Sequence, residues 1–347
     1  MSVSHAAGEY VSNATMREVA QRILGARTIA VTSHVKVDGD ALGSMLALER
    51  ALAAKGKRVD LFVMGPLEPN LASVAEHSKL KRVENAPPKD DYDLIIVVDT
   101  GAWAQLEPLE AWLRARRDRI IGIDHHARGD DMAAMRLIDM TCASTTQLVL
   151  PLLDEMGCEI TGGVGSVAEA LFLGLATDTG WFRYGNADAE VFTAAARLLR
   201  HGVDKSRLYQ IVEETHRPER LALEGRALAS LEYLRDGAVA MMSLSLEDFQ
   251  ETGGRAEEMT GIVNMPLLVG TVRVSVLLSQ NEPGLTKVSF RSKPPLPGSA
   301  KDDFWNVNDI AHQFGGGGHV HAAGAKLNMD LAQARKAVRK VLEAENV

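Results

Sequence analysis

Four apolar segments of this chain are each followed at once by an acidic residue or a histidine. Short runs rich in β-branched residues predict buried strands of a parallel sheet. Open α/β sheets bind ligands in the crevice outside the carboxyl ends of their strands, so polar residues that follow such strands predict one shared site. The segments are residues 28–33, 94–98, 120–123 and 171–177, of which the last overlaps a helix predicted over 167–175.

The composition predicts a globular protein of two domains without a membrane segment. The chain has 347 residues, enough for two separate cores. Its formal net charge of −8 disfavours binding to long duplex nucleic acid, because basic residues supply most of that affinity. Cys142 and Cys158 are its two cysteines, which argues against a disulfide framework or a cysteine-rich zinc site. No apolar stretch approaches about 18 residues and no secretory signal is evident, so we expect a cytoplasmic location.

The pattern of predicted strands and helices changes twice along the chain. Strands and helices alternate over 14–190, which predicts a doubly wound, mostly parallel α/β sheet. Consecutive helices without intervening strands follow over 191–230, and we interpret this segment as a helical connector or hinge. Residues 231–347 return to strands separated by turns, with helices predicted over 256–264, 307–314 and 331–345 and a proline-rich loop over 293–299. This last pattern predicts a smaller α+β domain.

The polar residues after the apolar segments have the chemistry of a metal site. Imidazole and carboxylate ligands together suit manganese, magnesium, cobalt or iron better than a structural zinc ion, which prefers thiolates. Buried carboxylates could not all ionise without cations, because like charges raise one another's pKa. Two divalent ions would neutralise them, and an ion pair about 3.5–4 Å apart is suited to hydrolysing phosphate esters. The candidate ligands are His34, Asp38, Asp40, Asp99, His125 and Asp178.

Each of these residues taken alone has an ordinary structural explanation. Asp38 and Gly39 could form a turn, and Asp40 could cap the following helix. Asp99 could simply end a strand. Their joint occurrence after apolar segments favours the metal site, and we attribute Gly39 to a sharp turn that lets both neighbouring carboxylates serve it.

The order of these motifs resembles the DHH family of phosphoesterases. The matching residues are His34-x3-Asp38-Gly-Asp40, Val98-Asp99, Asp124-His125-His126 and Asp178-Thr-Gly. Near the other end, the run from Gly315 through His319 to Gly324 resembles the glycine-rich signature of the accompanying DHHA1 domain. The compact length is similar to the branch of nano-RNases and 3′-phosphoadenosine 5′-phosphate (PAP) phosphatases. One departure is Val37, where the family often has proline.

The resemblance implies a role for each member of the metal set. It implies a first ion held by His34, Asp38 and Asp99. It implies a second ion held by Asp40, Asp99, His125 and Asp178, with Asp99 as the bridge. His126 would then face the substrate phosphate, and Asp124 would orient the histidines. The family also implies manganese as the preferred metal, with magnesium or cobalt as alternatives, and a homodimer.

The glycine run of the second domain is a candidate anion-binding segment. Residues 315–318 are four glycines, which lose too much backbone entropy to favour a helix or a useful strand. Glycines let a ligand approach the backbone and meet its N–H groups. Arg291, at the end of a predicted strand, has the planar fork that suits a phosphate. The candidate substrate contacts are Arg291, Ser292, Gly316, Gly317, Gly318, His319 and His321, with a structural role as the alternative for His321.

These features together predict a metal-dependent phosphoesterase with His126, Asp99 and Asp124 as candidate catalytic residues. The expected substrates are short single-stranded oligoribonucleotides, cleaved to nucleoside 5′-monophosphates, or PAP, cleaved to AMP and phosphate. A phosphodiesterase for cyclic or linear dinucleotides is the alternative among enzymes. A non-catalytic nucleotide-binding regulator is the alternative outside them, and the presence of every expected ligand disfavours it.

Overall fold

Two compact units make up the chain, Met1–Thr215 and His216–Val347. The computed structural model describes residues 10–83, 88–89, 91–295 and 304–344. Two predictions fall partly outside the described residues. The absence of a secretory signal was inferred in part from residues 1–9, and the predicted proline-rich loop includes residues 296–299. Across the described ranges, none of the helices combines the length and apolar character needed to cross a membrane.

The first unit is built on a six-stranded sheet whose neighbouring strands are all parallel. The strands are β1 (Thr28–Thr32), β2 (Arg58–Val63), β3 (Leu80–Arg82), β4 (Leu94–Val98), β5 (Ile120–Asp124) and β6 (Met135–Ile138). Their order is β3-β2-β1-β4-β5-β6, so the direction of winding reverses between β1 and β4. Doubly wound sheets bind ligands at such a switch point. The predicted α/β fold is confirmed.

Helices and turns cover both faces of this sheet. The helices are α1 (Met16–Gly25), α2 (Gly39–Ala54), α3 (Pro69–Val74), α4 (Glu110–Arg114), α5 (Thr145–Glu155), α6 (Val167–Asp178), α7 (Ala189–Arg200) and α8 (Lys205–Glu213). In β4, Ile96 and Val98 belong to the core that contains α2, α5 and α6. Ile95 and Val97 belong to the opposite core, with Trp112. Burial on both faces explains why these strands are continuous apolar runs.

The fourth apolar segment is helical, so the interpretation of Asp178 as a strand-end residue is wrong. The side chain of Ser166 caps α6 by accepting the Glu169 N–H at 3.1 Å, and the helix ends at Asp178. Residues 171–177 contain a single β-branched residue, Thr177, and their leucines and alanine favour a helix. The helix predicted over 167–175 is therefore correct and extends to the acid.

The second unit contains a mixed six-stranded sheet and fewer helices, which confirms the predicted smaller α+β architecture. The strands are β7 (Glu232–Leu234), β8 (Val239–Leu244), β9 (Val274–Glu282), β10 (Leu285–Ser292), β11 (Gly317–His319) and β12 (Ala322–Leu327). Their order is β11-β12-β10-β9-β8-β7, and β8 with β9 is the parallel pair. The helices are α9 (Pro218–Ala229), α10 (Leu246–Thr252), α11 (Val307–His312) and α12 (Leu331–Glu343). Phe290 lies in the core with α11 and α12, and Met242 lies in the core with α9 and α10.

Two predictions for the second unit are wrong. The helix predicted over 256–264 is replaced by two 3-10 segments, Ala256–Met259 and Ile262–Leu268, because Gly261 between them has a left-handed φ of 89°. The glycine run, predicted to form no useful strand, supplies β11 as a short edge strand paired with β12. A Cβ on Gly316 would lie 2.1 Å from a carbonyl oxygen of that partner strand. Glycine therefore allows a backbone approach that larger residues would prevent.

Candidate metal centre

His34, Asp38 and Asp99 meet at the switch point between β1 and β4. Nε2 of His34 lies 3.7 Å from Oδ2 of Asp38 and 3.6 Å from Oδ2 of Asp99. Asp38 uses its other oxygen to cap α2, by accepting the N–H groups of Asp40 and Ala41. The cap is therefore Asp38 rather than Asp40. One oxygen of Asp38 fixes the loop, and the other faces His34.

Asp40, His125 and Asp178 form a second group from three different elements. Asp40 lies in the first turn of α2, His125 follows β5, and Asp178 ends α6. Nε2 of His125 lies 3.9 Å from Oδ2 of Asp40 and 3.3 Å from Oδ2 of Asp178. Thr145 and Thr146, at the start of α5, donate their N–H groups to Asp40 at 2.6 and 2.9 Å. In each of the two groups, one ligand atom per residue lies within 4.8 Å of the others, close enough to hold one ion.

Asp99 faces both groups with different oxygens. Oδ2 is directed at His34, whereas Oδ1 lies 3.5 Å from Nε2 of His125 and accepts a hydrogen bond from the Thr145 hydroxyl at 3.0 Å. The backbone of Asp99 has a φ of 61°, a left-handed conformation that aspartate tolerates better than most residues. Its N–H still bonds to the Ile123 carbonyl at 2.9 Å, so the chain leaves the sheet immediately after that bond.

Glycines bring Asp40 and Asp178 together because they allow α2 and α6 to touch. A Cβ on Gly39 would lie 2.3 Å from the Thr177 hydroxyl oxygen, and a Cβ on Gly174 would lie 2.5 Å from Oδ1 of Asp40. Gly39 is the first residue of α2, and its φ is outside the left-handed region. The explanation of Gly39 by a sharp turn is therefore wrong. Its role is to remove the side chain where two helices pack closely.

Burial raises the pKa of three acids of this centre, Asp38, Asp40 and Asp178, whereas in Asp99 hydrogen bonds from His125 and His34 outweigh burial and lower the pKa. Burial, followed by the charge of Asp99, raises the pKa of Asp40 well above its usual range. Burial raises the pKa of Asp178 to about 6. Burial alone would lower the pKa of His125, but its contact with Asp99 and the other nearby carboxylates raise it to about 9. Carboxylate and imidazole donors in this state fit a divalent cation, which would relieve the repulsion.

Asp124 binds His126 rather than joining the two ligand groups. Its Oδ1 accepts a hydrogen bond from Nδ1 of His126 at 2.7 Å. The same oxygen accepts hydrogen bonds from the backbone N–H groups of His125 at 2.8 Å and His126 at 3.2 Å. The bond from Asp124 is the main reason that the pKa of His126 is raised. Nδ1 of His126 is also 3.8 Å from Asp99, but its shorter bond to Asp124 occupies it. The half-exposed imidazole therefore presents Nε2 for contact with a ligand.

Three residues of this region were not predicted from the sequence. Thr145 and Thr146 follow Ser144, and such a polar run before an apolar segment indicates the start of a helix. It does not indicate that the first N–H groups of that helix would bind Asp40. The third residue, Tyr10, donates its hydroxyl hydrogen to Oδ2 of Asp124 at 2.7 Å, and no motif or periodicity marks it.

In the second unit, Arg291 and His319 lie on one face of the sheet. Arg291 is paired with Ala322, and Ala322 is paired with His319, so the three side chains project to the same side. His319 is exposed, and Arg291 is half-buried with its pKa lowered by burial. An arginine nevertheless stays charged at neutral pH. The small side chain of Ala322 leaves a shallow floor between the two basic groups.

Ser292 and His321 are bonded to each other. The Ser292 hydroxyl lies 2.9 Å from Nδ1 of His321, and the Ser292 N–H donates to the His321 carbonyl at 3.2 Å. The ring of Phe304 packs 5.1 Å from the imidazole, measured between ring centroids. These contacts support the structural alternative for His321. Gly318, with a φ of 154°, completes the edge beside His319.

Comparisons with known proteins agree with this architecture. Residues 28–175 match the model of the DHH family, N-terminal domain, and residues 237–344 match the DHHA1 domain. The bifunctional oligoribonuclease and PAP phosphatase NrnA of Thermus thermophilus is 32% identical over 320 residues, which cover 91% of this chain and 90% of that protein. The protein of the same name from Bacillus subtilis is 25% identical, with 86% and 89% covered.

Solved structures show the same fold. An exopolyphosphatase-related protein from Bacteroides fragilis superimposes with a TM-score of 0.82 at 27% identity, and 97% of each chain is covered. The exonuclease RecJ, in a structure bound to manganese, gives a TM-score of 0.53 at 19% identity, with 96% of this chain and 95% of RecJ covered. The motif resemblance is confirmed by the identity and coverage of these relatives, and the chain belongs to the DHH/DHHA1 family of phosphoesterases.

Proposed function

We propose that the chain is a two-metal phosphoesterase that cleaves short oligoribonucleotides to nucleoside 5′-monophosphates and PAP to AMP. The observation that carries the proposal is the position of Asp99, whose two oxygens face His34 on one side and His125 on the other. A carboxylate placed in this way suits a bridge between two ions, the arrangement that phosphoesterases use. The names of the bacterial relatives support the substrate class.

The proposed ligands divide into two overlapping sets. The first ion would be held by His34, Asp38 and Asp99. The second ion would be held by Asp40, Asp99, His125 and Asp178. Manganese is the proposed metal, with magnesium or cobalt as alternatives, because the donors are nitrogen and carboxylate oxygen. When bound, such ions acidify a water molecule and neutralise negative charge on phosphoryl oxygens.

His126 is proposed to act on the substrate directly. Asp124 holds Nδ1 of His126 and raises the pKa of the imidazole, which favours its protonated form. Nε2 can then donate to a phosphoryl oxygen or to the leaving oxygen. Asp124 is proposed to fix the tautomer and direction of the ring, as carboxylates behind catalytic histidines do.

Arg291 and His319 are proposed to bind a phosphate of the substrate. Both are basic, both lie on one face of the second sheet, and the glycines of β11 expose backbone N–H groups nearby. We propose that residues 14–190 carry the catalytic DHH domain, 191–230 the connector, and 231–347 the substrate-binding DHHA1 domain. The net charge of −8 disfavours long duplexes as substrates.

A substrate panel tests this function. The full chain with manganese is assayed on RNA from dinucleotides to long strands, on PAP, on pyrophosphate and on linear and cyclic dinucleotides. We expect turnover of the shortest RNAs and of PAP, loss of turnover in Asp99→Asn, and full activity in the exposed control Asp118→Asn. Absence of turnover on every substrate would contradict the proposal. Turnover of cyclic dinucleotides alone would favour the dinucleotide phosphodiesterase instead.

A further inference from the structure

Tyr10 reaches the candidate metal centre from outside all the family motifs. It is 9% exposed, and its hydroxyl donates to Oδ2 of Asp124 at 2.7 Å. Burial, together with the charge of Asp124, raises the pKa of Tyr10 well above its usual range, so the phenol keeps its proton and acts as a donor. The other oxygen of Asp124 accepts from His126 and the following backbone. Both oxygens of this carboxylate are therefore held, each by different partners.

The ring of Tyr10 fills a slot between two loops of the site. A Cβ on Gly101 would lie 2.3 Å from the ring, and a Cβ on Gly129 would lie 2.4 Å from it. Gly101 lies in the loop after Asp99, and Gly129 lies in the loop after His126. The Asp130 N–H bonds to the Gly101 carbonyl at 2.7 Å and ties the loops together. The slot is thus shaped for an aromatic side chain, and glycine at both walls makes room for it.

The residues after Tyr10 fix its direction by pairing with the edge strand β6. The Ser12 hydroxyl donates to the Ile138 carbonyl at 2.9 Å and accepts the Ile138 N–H at 2.7 Å. Asn13 and Arg136 form a second reciprocal pair, with the Asn13 N–H on the Arg136 carbonyl at 3.2 Å and the Arg136 N–H on Oδ1 of Asn13 at 2.6 Å. The segment that follows Tyr10 is therefore anchored to the sheet, and it holds the Tyr10 side chain in contact with Asp124.

We propose that Tyr10 is a positioning residue of the active site, which fixes Asp124 and through it the imidazole of His126. The proposal rests on the phosphoesterase function proposed above. Without the hydroxyl, Oδ2 of Asp124 loses its partner and the carboxylate can rotate away from Nδ1 of His126. The Tyr10 hydroxyl bonds to no proposed metal ligand, and Asp124 contacts His125 through the backbone N–H but His126 through the imidazole. The loss therefore acts mainly on the His126 imidazole.

The variant Tyr10→Phe tests the role, because it keeps the ring in its slot and removes only the hydroxyl. Tyr92→Phe is the matched control: Tyr92 is buried in the same unit, and its hydroxyl donates to Asp60 at 2.7 Å near the opposite end of the strands. On a 5′-phosphorylated diribonucleotide with manganese, we expect kcat of Tyr10→Phe to fall about tenfold, with KM and the manganese requirement unchanged. Wild-type kcat in Tyr10→Phe, or an equal loss in Tyr92→Phe, would overturn the proposal.

A second readout separates this role from the proposed function. In full-length protein loaded with magnesium and labelled with ¹⁵N-histidine, the Nδ1 proton of His126 is assigned by comparison with His126→Gln. We expect it to exchange with solvent faster in Tyr10→Phe than in the wild type or Tyr92→Phe. If the wild type lacked turnover, the proposed function would fail and the exchange rates would still decide the role of Tyr10. Equal exchange in all three proteins would show that Tyr10 does not position His126.

Discussion

In the metal-free protein, the ionised side chain of Asp178 should lower the free energy of unfolding. Replacing Asp178 with asparagine should therefore raise the free energy of unfolding. Burial raises the pKa of this carboxyl from 3.8 to about 6. Each pKa unit corresponds to about 1.4 kcal/mol, so ionised Asp178 lowers the free energy of unfolding by about 3 kcal/mol at pH 7.5. The pKa of Asp178 is higher in the folded state than in the unfolded state. The loss of unfolding free energy is therefore absent below pH 3.8, grows between pH 3.8 and 6, and is complete above pH 6. At pH 5 the destabilisation is about half of its full value.

Urea unfolding of the chelator-treated full chain measures this difference. Three of the four tryptophans, Trp103, Trp112 and Trp181, lie in the first unit, so their fluorescence reports on it. We expect the free energy of unfolding of Asp178→Asn to exceed that of the wild type by about 3 kcal/mol at pH 7.5 and by about half as much at pH 5. Glu159→Gln, an exposed change in the same unit, should match the wild type at both values.

Added manganese should reverse the order of the two proteins. An ion that binds the folded wild type stabilises it by about 4.1 kcal/mol at a thousand times its Kd, which exceeds the deficit of about 3 kcal/mol, and the variant lacks one proposed ligand. A metal-free Asp178→Asn that is less stable than the wild type at pH 7.5 would refute the reasoning. A stability gain that stays constant between pH 5 and 7.5 would refute it equally.

Three further substitutions probe the packing and the substrate contacts. Gly174→Ala places a Cβ 2.5 Å from Oδ1 of Asp40, so it should lower the free energy of unfolding by about 1–3 kcal/mol and weaken manganese binding measured by titration. Gly225→Ala, in open space on α9, is its control and should be neutral or stabilising; equal effects would contradict the close packing. His319→Ala should raise KM for PAP about tenfold with metal content unchanged, because it removes one charge-assisted contact. Loss of bound manganese, measured by metal analysis, would contradict that assignment. Arg291→Lys should also raise KM in steady-state assays, since lysine lacks the bidentate fork, and an unchanged KM would argue against a phosphate contact.

The parallel sheet could be predicted from the sequence because its strands are buried on both faces and appear as uninterrupted apolar runs. The residues that follow β1, β4 and β5 could be grouped because parallel strands end at one edge. Asp178 was grouped with them for the wrong reason, since an apolar run alone does not distinguish a helix from a strand. Its position depends on where α6 packs, which is a tertiary property.

Other features of the site depend on contacts between residues far apart in the chain. The N–H groups of Thr145 and Thr146 meet Asp40 across more than a hundred residues, and Tyr10 meets Asp124 across 114. No local pattern encodes such pairings. The strand formed by the glycine run is a similar case, because it exists only where β12 supplies a partner.

Two of the proposed ligands, Asp40 and Asp178, lie on the packed helices α2 and α6 rather than on loops. The gap between Asp40 and Asp178 is therefore set by how closely two backbones can approach, and that limit is imposed by the missing side chains of Gly39 and Gly174. A library that randomises both positions and selects for turnover should return glycine almost every time. Changing the spacing between these two carboxylates to suit a different cation would require moving a helix, since α2 carries one of them and α6 the other.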